Sequence, residues 1–260
     1  MVPFNPTFLR GEVIADPNAL GQVIKQITTR MGVKQNKVVA SFPGSRAIPR
    51  IIPVPVAKDV FPPEYIPQQA KRIFGAVADN SYFYWSLIRK EQTNQFFYVL
   101  AVPKDIVESF TESLRVAGFK TFVIEVSGLA IARATQIGTG VLINVDTSIV
   151  ETSIVANNIP MIMHTEALPE PTNEAVIATI TDQMERLISS YNERNAVTPI
   201  LPDSPVFISG SLPLDEETLK AIGEAIVRPV MHANSSRFKY PVDFQPSSYM
   251  INLGLAMKAV

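Results

Sequence analysis

The spacing of apolar and polar residues predicts helices and strands that alternate along the chain. Asp16 is suited to cap a helix, and from there to Gly32 apolar residues recur every three or four positions, which predicts the first helix. KVVASF at 37–42 predicts a strand. The run AIPRIIPVP at 47–55 predicts a second strand, and its prolines confine it to a sheet edge because proline cannot donate a ladder hydrogen bond.

The next segment predicts a helix at 66–79, with Ile73, Phe74 and Val77 facing inward. Beyond it the pattern predicts a hairpin at 81–90 and 96–102, a helix at 104–117, a strand at 121–126 and a short helix from Ser127.

A second pattern begins near residue 141. It predicts strands at 141–145, 150–156 and 159–164, a helix at 174–194, a strand at 205–209, a helix at 214–226, a short strand at 227–231 and a last helix at 247–259. Because strands and helices interleave throughout, the fold class is α/β or mixed α+β.

The composition excludes several classes of function but does not identify one. The chain of 260 residues carries a net charge of −1, which leaves no basic footprint for nucleic acid or acidic lipid. It has no cysteine, so thiolate metal sites and cysteine nucleophiles are excluded, and this suits a reducing cytoplasm. The N-terminus shows no signal-peptide pattern, and no apolar run reaches the ~20 residues that cross a bilayer.

The common catalytic motifs are absent from the sequence. Neither GxxxxGK[ST] nor GxGxxG occurs, so P-loop and dinucleotide sites lack their phosphate cradle. The two histidines, His164 and His232, lie far apart in sequence and do not predict a metal site. The aromatic residues of the predicted hairpin lack interleaved Lys and Arg, so they favour a packed sheet over a surface that stacks bases.

The order of elements resembles that of PilM-type proteins, the actin-like cytoplasmic components of type IV pilus assembly, which are related to the cell-division protein FtsA. The likeness is carried by AVPKDIVESFTESLRVAGFKTFVIE at 101–125 and by PSSYMINLGLAMKAV at 246–260, and it extends from about Gly11 onward. It implies an actin-like fold with a ribonuclease-H-like lobe and an inserted strand–helix–strand–strand subdomain. The implied domains are a remnant of the first actin-like subdomain at 1–36, the inserted subdomain at 37–118 and the ribonuclease-H-like lobe at 119–260.

The chain departs from this family at its phosphate-binding motifs. The glycine-rich first phosphate hairpin is missing, which predicts either a fragment of a longer protein or a truncated relative. The second loop, usually DIGxxxT, aligns with NVDTSIV from Asn144, through Thr147 and Ser148, to Val150. The acid becomes Asn144, and the glycine becomes Asp146. A one-residue shift restores Asp146 as the acid but puts Thr147 where glycine belongs.

These changes predict weak nucleotide binding or none. A carboxylate and a phosphate ~4 Å apart repel by about 1 kcal/mol in water and by several times that in a drier cleft. The adenosine-side motif, typically GGGA after a strand, reads Ser209–Gly210–Ser211–Leu212, where Gly210 also fits a simple turn at a strand end. The resemblance therefore predicts no catalytic residues and no cofactor. ATP and magnesium are the expected ligands if the altered site still binds.

Two functions follow from the resemblance. The first is a non-catalytic scaffold that binds the cytoplasmic N-terminal peptide of a PilN-type inner-membrane protein, in a groove beside the inserted subdomain, and is thereby held at the inner membrane. Extended-peptide capture would involve the strand at 47–55. The residues concerned are Ile48, Arg50, Ile51, Ile52 and Val54. The same apolar residues are equally compatible with packing under the neighbouring helix.

The alternative is an actin-like ATPase whose nucleotide state switches assembly contacts. A related module of cell division or type II secretion would have the same fold. FtsA proteins generally carry a C-terminal amphipathic membrane helix, and a helix of that kind is not seen after Met257, which lowers the cell-division interpretation.

Overall fold

The structure, a computed structural model, describes residues 5–10 and 13–258. The chain divides into two compact units, one formed by Met1–Ala40 and Arg46–Ile124 and the other by Ser41–Ser45 and Glu125–Val260. This division rests on compactness, and the three-part division into actin-like subdomains stays a prediction.

The elements of the first part of the chain follow the predicted order. They are β1 (Leu9–Arg10), β2 (Val13–Ile14), α1 (Pro17–Arg30), β3 (Lys37–Phe42), β4 (Ile48–Pro55), α2 (Pro62–Phe74), a 3-10 helix (Gly75–Asn80), β5 (Ser81–Lys90), β6 (Asn94–Pro103), α3 (Lys104–Val116) and β7 (Lys120–Val126).

The first helix is capped and packed as its sequence requires. The Asp16 side chain accepts a hydrogen bond from the main-chain N–H of Ala19, and α1 packs on α3 through the buried Gly21. A Cβ at this position would lie 2.6 Å from Ser113 O, so glycine allows the two helices to approach. The prediction that the first phosphate hairpin is missing concerns the segment before α1, of which residues 1–4, 11 and 12 lie outside the described residues.

The antiparallel sheet of the first unit has the strand order β4–β6–β5. The predicted hairpin is therefore confirmed, and the proline-rich strand lies at an edge. Ile52 and Val54 of β4 join Ile66 and Ala70 of α2 in a core cluster on one face of this sheet. The helix thus covers the sheet through residues that alternate on the strand and recur every four positions on the helix.

The helix predicted at 66–79 is wrong in its bounds and in two of its inward residues. The α-helix occupies Pro62–Phe74 and ends at Gly75, whose φ of 56° breaks the helical path, and a 3-10 helix follows. Phe74 is buried, whereas Ile73 and Val77 are 46% and 43% exposed. The buried face of α2 follows the four-residue spacing of Ile66, Ala70 and Phe74, which leaves Ile73 outside it. Val77 lies in the 3-10 helix, whose different number of residues per turn does not continue that face.

The remaining elements belong to the second unit. They are α4 (Ser127–Thr135), β8 (Gly140–Val145), β9 (Ile149–Ala156), β10 (Ile159–Ala167), α5 (Asn173–Arg194), β11 (Val206–Ser209), α6 (Glu216–Ile226), β12 (Val230–His232), a 3-10 helix (Pro246–Tyr249) and α7 (Met250–Ala256).

One mixed sheet organises this unit, in the strand order β10–β9–β8–β11–β12. Strands β10, β9 and β8 are antiparallel, whereas β8, β11 and β12 are parallel. Strand β8 is buried on both faces, which explains why Val141, Leu142 and Ile143 are consecutive apolar residues. Ile143 joins the core cluster that contains residues of α5 and α6, and Leu142 joins the cluster that contains residues of α4 and α7.

Two predicted elements near the C-terminus are shifted. The strand predicted at 227–231 begins only at Val230, because Val227 takes a left-handed conformation that ends α6 and Pro229 follows. The last helix starts as a 3-10 turn at Pro246 and continues as α7 to Ala256. Within the described residues, no helix is long and apolar enough to span a bilayer.

Candidate functional site at the ends of β8 and β11

The candidate site lies where two parallel strands end. Strands β8 and β11 pair in parallel, with Asn144 opposite Ser209, so their carboxyl ends meet at one edge of the sheet. The predicted strand–turn–strand is present: β8 leads through Asp146–Ser148 into β9, and Asp146 N–H donates to Ile149 O at 2.9 Å. Ligands of open α/β sheets characteristically bind at such carboxyl ends.

The Asp146 carboxylate joins the two loops at this edge. Its Oδ1 accepts hydrogen bonds from the main-chain N–H of Ser211 at 3.0 Å and from the Ser211 hydroxyl at 2.5 Å. Its Oδ2 accepts from the Asn144 amide at 3.0 Å. The donors of Ser211 and the Asn144 amide are therefore already bound to a carboxylate of the chain itself.

Gly210 permits the close approach of these loops. Its φ is +131°, and a Cβ at this position would lie 2.0 Å from Val145 O. The neighbouring Leu212 N–H donates to the same carbonyl at 3.1 Å. Packing of main chain against main chain thus explains this glycine without any ligand.

A buried polar chain continues inward from Asp146. Asn144 accepts a hydrogen bond from the Ser209 hydroxyl at 3.1 Å, and its amide lies 3.5 Å from Glu151 Oε1. The other oxygen of Glu151 accepts from the Ser127 hydroxyl. Asn144, Ser209, Glu151 and Ser127 are all at most 9% exposed, so their polar atoms depend on one another rather than on water.

The remaining predicted loop residues stand apart from this chain. Thr147 and Ser148 are exposed at the tip of the β8–β9 turn. The main-chain carbonyl of Ser148 accepts from Leu168 N–H at 2.8 Å, which anchors the tip to the residue that follows β10. The structure therefore brings together Asn144, Asp146 and Ser211, with Gly210 between the strands, and leaves the two turn residues facing outward.

A cavity of about 580 Å³ opens beside Gly210. Its walls include the end of β11, His232–Asn234 and residues 244–248, together with Asp215. Asp146 and Ser211 are not among its lining residues. The volume is in the range of small-molecule pockets, and the lining mixes apolar side chains with serine, asparagine and histidine.

The charged groups at this edge are few. Within residues 5–10 and 13–258, no group of three or more His, Asp or Glu side chains is arranged to hold a metal ion. Asp146 forms no ion pair with a described residue. Its carboxylate joins the two loops through hydrogen bonds to Ser211 and Asn144.

The predicted partner residues of β4 separate into two groups. Ile52 and Val54 are 1% and 0% exposed, and Ile48 packs against the same core cluster. Ile51 is 40% exposed, and Arg50 is exposed as well. Packing under the neighbouring helix therefore describes Ile48, Ile52 and Val54, whereas the side chains of Arg50 and Ile51 are exposed to solvent.

Two residues of the buried chain, Ser127 and Glu151, were missed by sequence reasoning, and Ser209 was named only as the first residue of the altered adenosine-side motif. A signal existed for Glu151, because it is the one charged residue in IVETSIVA, a strand otherwise suited to the core. Ser127 and Ser209 carry no such signal, since a serine at a strand end or at a helix start is ordinary turn chemistry.

Comparison with known proteins identifies the fold and nothing finer. No protein-family model matches the chain, and no curated protein matches its sequence. A chain of a PilM-PilN type IV pilus biogenesis complex matches with a TM-score of 0.74 at 16% identity, covering 98% of this chain and 89% of that one.

Two further solved structures match with lower scores. One is the cytoplasmic domain of EpsL, an inner membrane component of the type II secretion system of Vibrio cholerae, with a TM-score of 0.51, 13% identity and coverage of 91% and 78%. The other is the ethanolamine utilization protein EutJ of Carboxydothermus hydrogenoformans, with a TM-score of 0.53, 10% identity and coverage of 96% and 77%. The chain therefore has the actin-like fold, in a form that it shares over nearly its whole length with a protein of a pilus biogenesis complex.

Proposed function

We propose that this protein is a non-catalytic actin-like scaffold of a type IV pilus or related secretion assembly, where it binds the cytoplasmic segment of a PilN-type inner-membrane protein. Through that partner it is held at the cytoplasmic face of the inner membrane. The observation that supports the proposal is the contact of Asp146 with Ser211 and Asn144, which puts a carboxylate at the carboxyl ends of β8 and β11, the edge where ligands of such sheets bind.

The shared fold supports the assembly role. The matched chain with the TM-score of 0.74 comes from a complex of pilus biogenesis, and the EpsL domain comes from a secretion system. The first is described as a type IV pilus biogenesis complex and the second as an inner membrane component of its secretion system.

The electrostatics of the loop support the absence of turnover. A phosphate entering between the two loops would have to displace the carboxylate from the Ser211 N–H and hydroxyl, and it would then face that same negative charge. Breaking the contacts and bringing like charges together both oppose binding.

Calorimetric titration with magnesium-ATP tests this part of the proposal. We expect no heat of binding to the wild-type chain at millimolar nucleotide. The matched variant is Asn144→Asp with Asp146→Gly, which restores the acid and the glycine of the family motif. Micromolar binding by the wild type would overturn the scaffold assignment.

The partner is tested separately with a labelled peptide that copies the cytoplasmic N-terminus of a PilN-type protein from the same organism. We expect saturable binding that weakens when Arg50 and Ile51 are both replaced by alanine. Ser148→Ala, at an exposed turn of the other unit, is the control and leaves affinity unchanged. If the wild-type chain does not bind the peptide, the proposed binding of a PilN-type partner is wrong.

A nucleotide-responsive actin-like ATPase is the second candidate, and the cavity beside Gly210 favours it. This cavity has room for a small molecule at the carboxyl end of β11. Titration with adenosine alone, compared with titration with magnesium-ATP, distinguishes the two candidate functions. An ATPase binds both adenosine and magnesium-ATP, whereas a scaffold that retains only the cavity binds adenosine and shows no binding of magnesium-ATP.

A further inference from the structure

The two edges of the β4–β6–β5 sheet differ in how many unpaired main-chain N–H and C=O groups they present to a further strand. The Val56 N–H donates to Thr93 O at 2.9 Å, which directs the even-numbered residues of this strand toward β6. In antiparallel pairs the inward and outward directions alternate, so the odd-numbered residues of β4 direct their main-chain groups to the open edge. They are Pro49, Ile51, Pro53 and Pro55.

The open edge of β4 is blocked to further strands. Three of its four outward positions are prolines and lack an N–H, so only Ile51 can donate there. The outward carbonyl of Pro49 already accepts a hydrogen bond from the Arg50 guanidinium at 2.7 Å. These are the devices by which sheet edges resist strand addition.

The first seven residues of β5 contain no proline, so their outward main-chain groups are not blocked as those of β4 are. The Glu91 N–H donates to Asn94 O at 2.8 Å, and the register places Tyr84 opposite Leu100. The alternation across β6 then directs the N–H and C=O groups of Phe83, Trp85 and Leu87 outward. In the described part of the chain, no strand pairs with this edge.

Large apolar side chains are exposed along the same strand. Tyr82, Tyr84, Leu87 and Ile88 are between 37% and 49% exposed, whereas β4 exposes one large apolar side chain, Ile51. A free ladder of donors and acceptors flanked by exposed apolar groups is a surface suited to an added strand.

Charge selects a second copy of this chain as the strand. One end of β5 carries Arg89 and Lys90 beside Glu91, for a net charge of +1. The other end, at Asp79, also holds Lys104, which donates to Asp79 O, and Glu108, which accepts from Tyr82, for a net charge of −1. A two-fold axis makes two β5 strands antiparallel and places each basic end beside the acidic end of its partner, whereas parallel addition would place like charges together.

We propose that β5 is a dimerisation edge, through which two copies of this chain join their three-stranded sheets into one antiparallel sheet of six strands. The exposed side chains of Tyr82 and Tyr84 point to the same face of β5, so they cover the junction on that face. Because β4 is blocked, the association closes at two copies and does not propagate into a fibre.

Sedimentation velocity of the full chain from about 1 µM to about 200 µM tests the proposal through the concentration dependence of the dimer. Trp85→Pro removes one outward N–H without breaking a bond to β6, and we expect it to weaken dimerisation by about tenfold or more. The matched control is Ile51→Pro, which removes the one outward N–H of β4 and leaves the dimer unchanged. Trp85 is the only tryptophan, so its emission provides a second reading of the same equilibrium.

Charge exchange keeps the proposal testable if proline disturbs folding. Lys90→Glu and Asp79→Lys each weaken the dimer, and the double variant restores it, since the two exchanged residues meet across the two-fold axis. Trp85→Lys places a charge at the edge and gives a monomer. A wild-type chain that is monomeric at 200 µM, or a dimer that persists in Trp85→Lys and in both charge variants, overturns the proposal.

Discussion

Asp146 accepts two hydrogen bonds from Ser211, which lies 65 residues later in the chain. This contact ties the turn after β8 to the loop after β11, the two loops that flank a ligand at the carboxyl edge of such a sheet. The Asp146 carboxylate thus bridges the two loops at this edge of the sheet.

The cost of removing this contact is the first prediction. Asp146→Ala removes the acceptor for Ser211 and Asn144, and we expect the free energy of unfolding to fall by about 1–2 kcal/mol, since hydrogen bonds to a charged group are the stronger ones. Thr147→Ala, at the exposed tip of the same turn, is expected to change it by less than about 0.5 kcal/mol. Urea denaturation measures both, and equal effects would show that the contact contributes nothing of its own.

The second prediction concerns the close approach at Gly210. Alanine here meets Val145 O at 2.0 Å and takes a φ of +131°, which L-residues rarely adopt. We expect Gly210→Ala to reduce the free energy of unfolding by about 3 kcal/mol or more. Gly138→Ala is the control, because no atom lies within 4 Å of its Cβ, and it should be neutral or slightly stabilising. Thermal melts that rank the two variants in the opposite order would contradict this packing.

The third prediction is a pH dependence that originates at Glu125. Its carboxylate is 3% exposed and is bound by Arg133 at 2.7 Å and Lys258 at 2.6 Å. Burial raises the pKa of Glu125. The hydrogen bonds and charges of Arg133 and Lys258 lower it by more than burial raises it, so the pKa lies below its ordinary value of 4.5. The stabilisation is therefore complete above that ordinary value and is lost as the pH falls through the lowered one.

Glu125→Gln tests that dependence. We expect the variant to be less stable than the wild type by about 3 kcal/mol at about pH 7, because it removes the buried negative charge that faces the partly buried Arg133 and Lys258. The difference should shrink as the pH falls below the ordinary pKa of a glutamate. Glu112→Gln, which breaks the exposed Glu112–Arg115 pair, should leave stability without measurable change. A difference that stays constant with pH would exclude titration of Glu125 as its source.

The fourth prediction compares the stability contributions of a buried and an exposed side chain on β4. Ile52 is 1% exposed and Ile51 is 40% exposed, although they are neighbours in sequence. We expect Ile52→Ala to cost about 3 kcal/mol through lost burial and the cavity left under α2, and Ile51→Ala to cost less than about 0.5 kcal/mol. Chemical denaturation of the two variants measures this directly. Similar losses would show that the strand does not face the core as described.

Much of the fold could be predicted from local pattern alone. KVVASF is a strand at the predicted residues 37–42, and the prolines at 49, 53 and 55 correctly place the next strand at an edge. These signals are strong because they express constraints inside one element, such as side-chain periodicity or the missing N–H of proline. The helix at 66–79 failed where the α-helix gives way to 3-10 geometry at Gly75, which the apolar stripe does not register.

The site was only half visible in the sequence. NVDTSIV identifies Asn144 and Asp146 as altered positions, because a motif is a local string that can be compared letter by letter. The bonding of Asp146 to Ser211, the burial of Glu151 against Ser127 and the opposite behaviour of the β4 and β5 edges depend on which strands become neighbours. Tertiary structure alone decides such pairs, since hydrogen bonding and burial act between atoms close in space, whatever their separation along the chain.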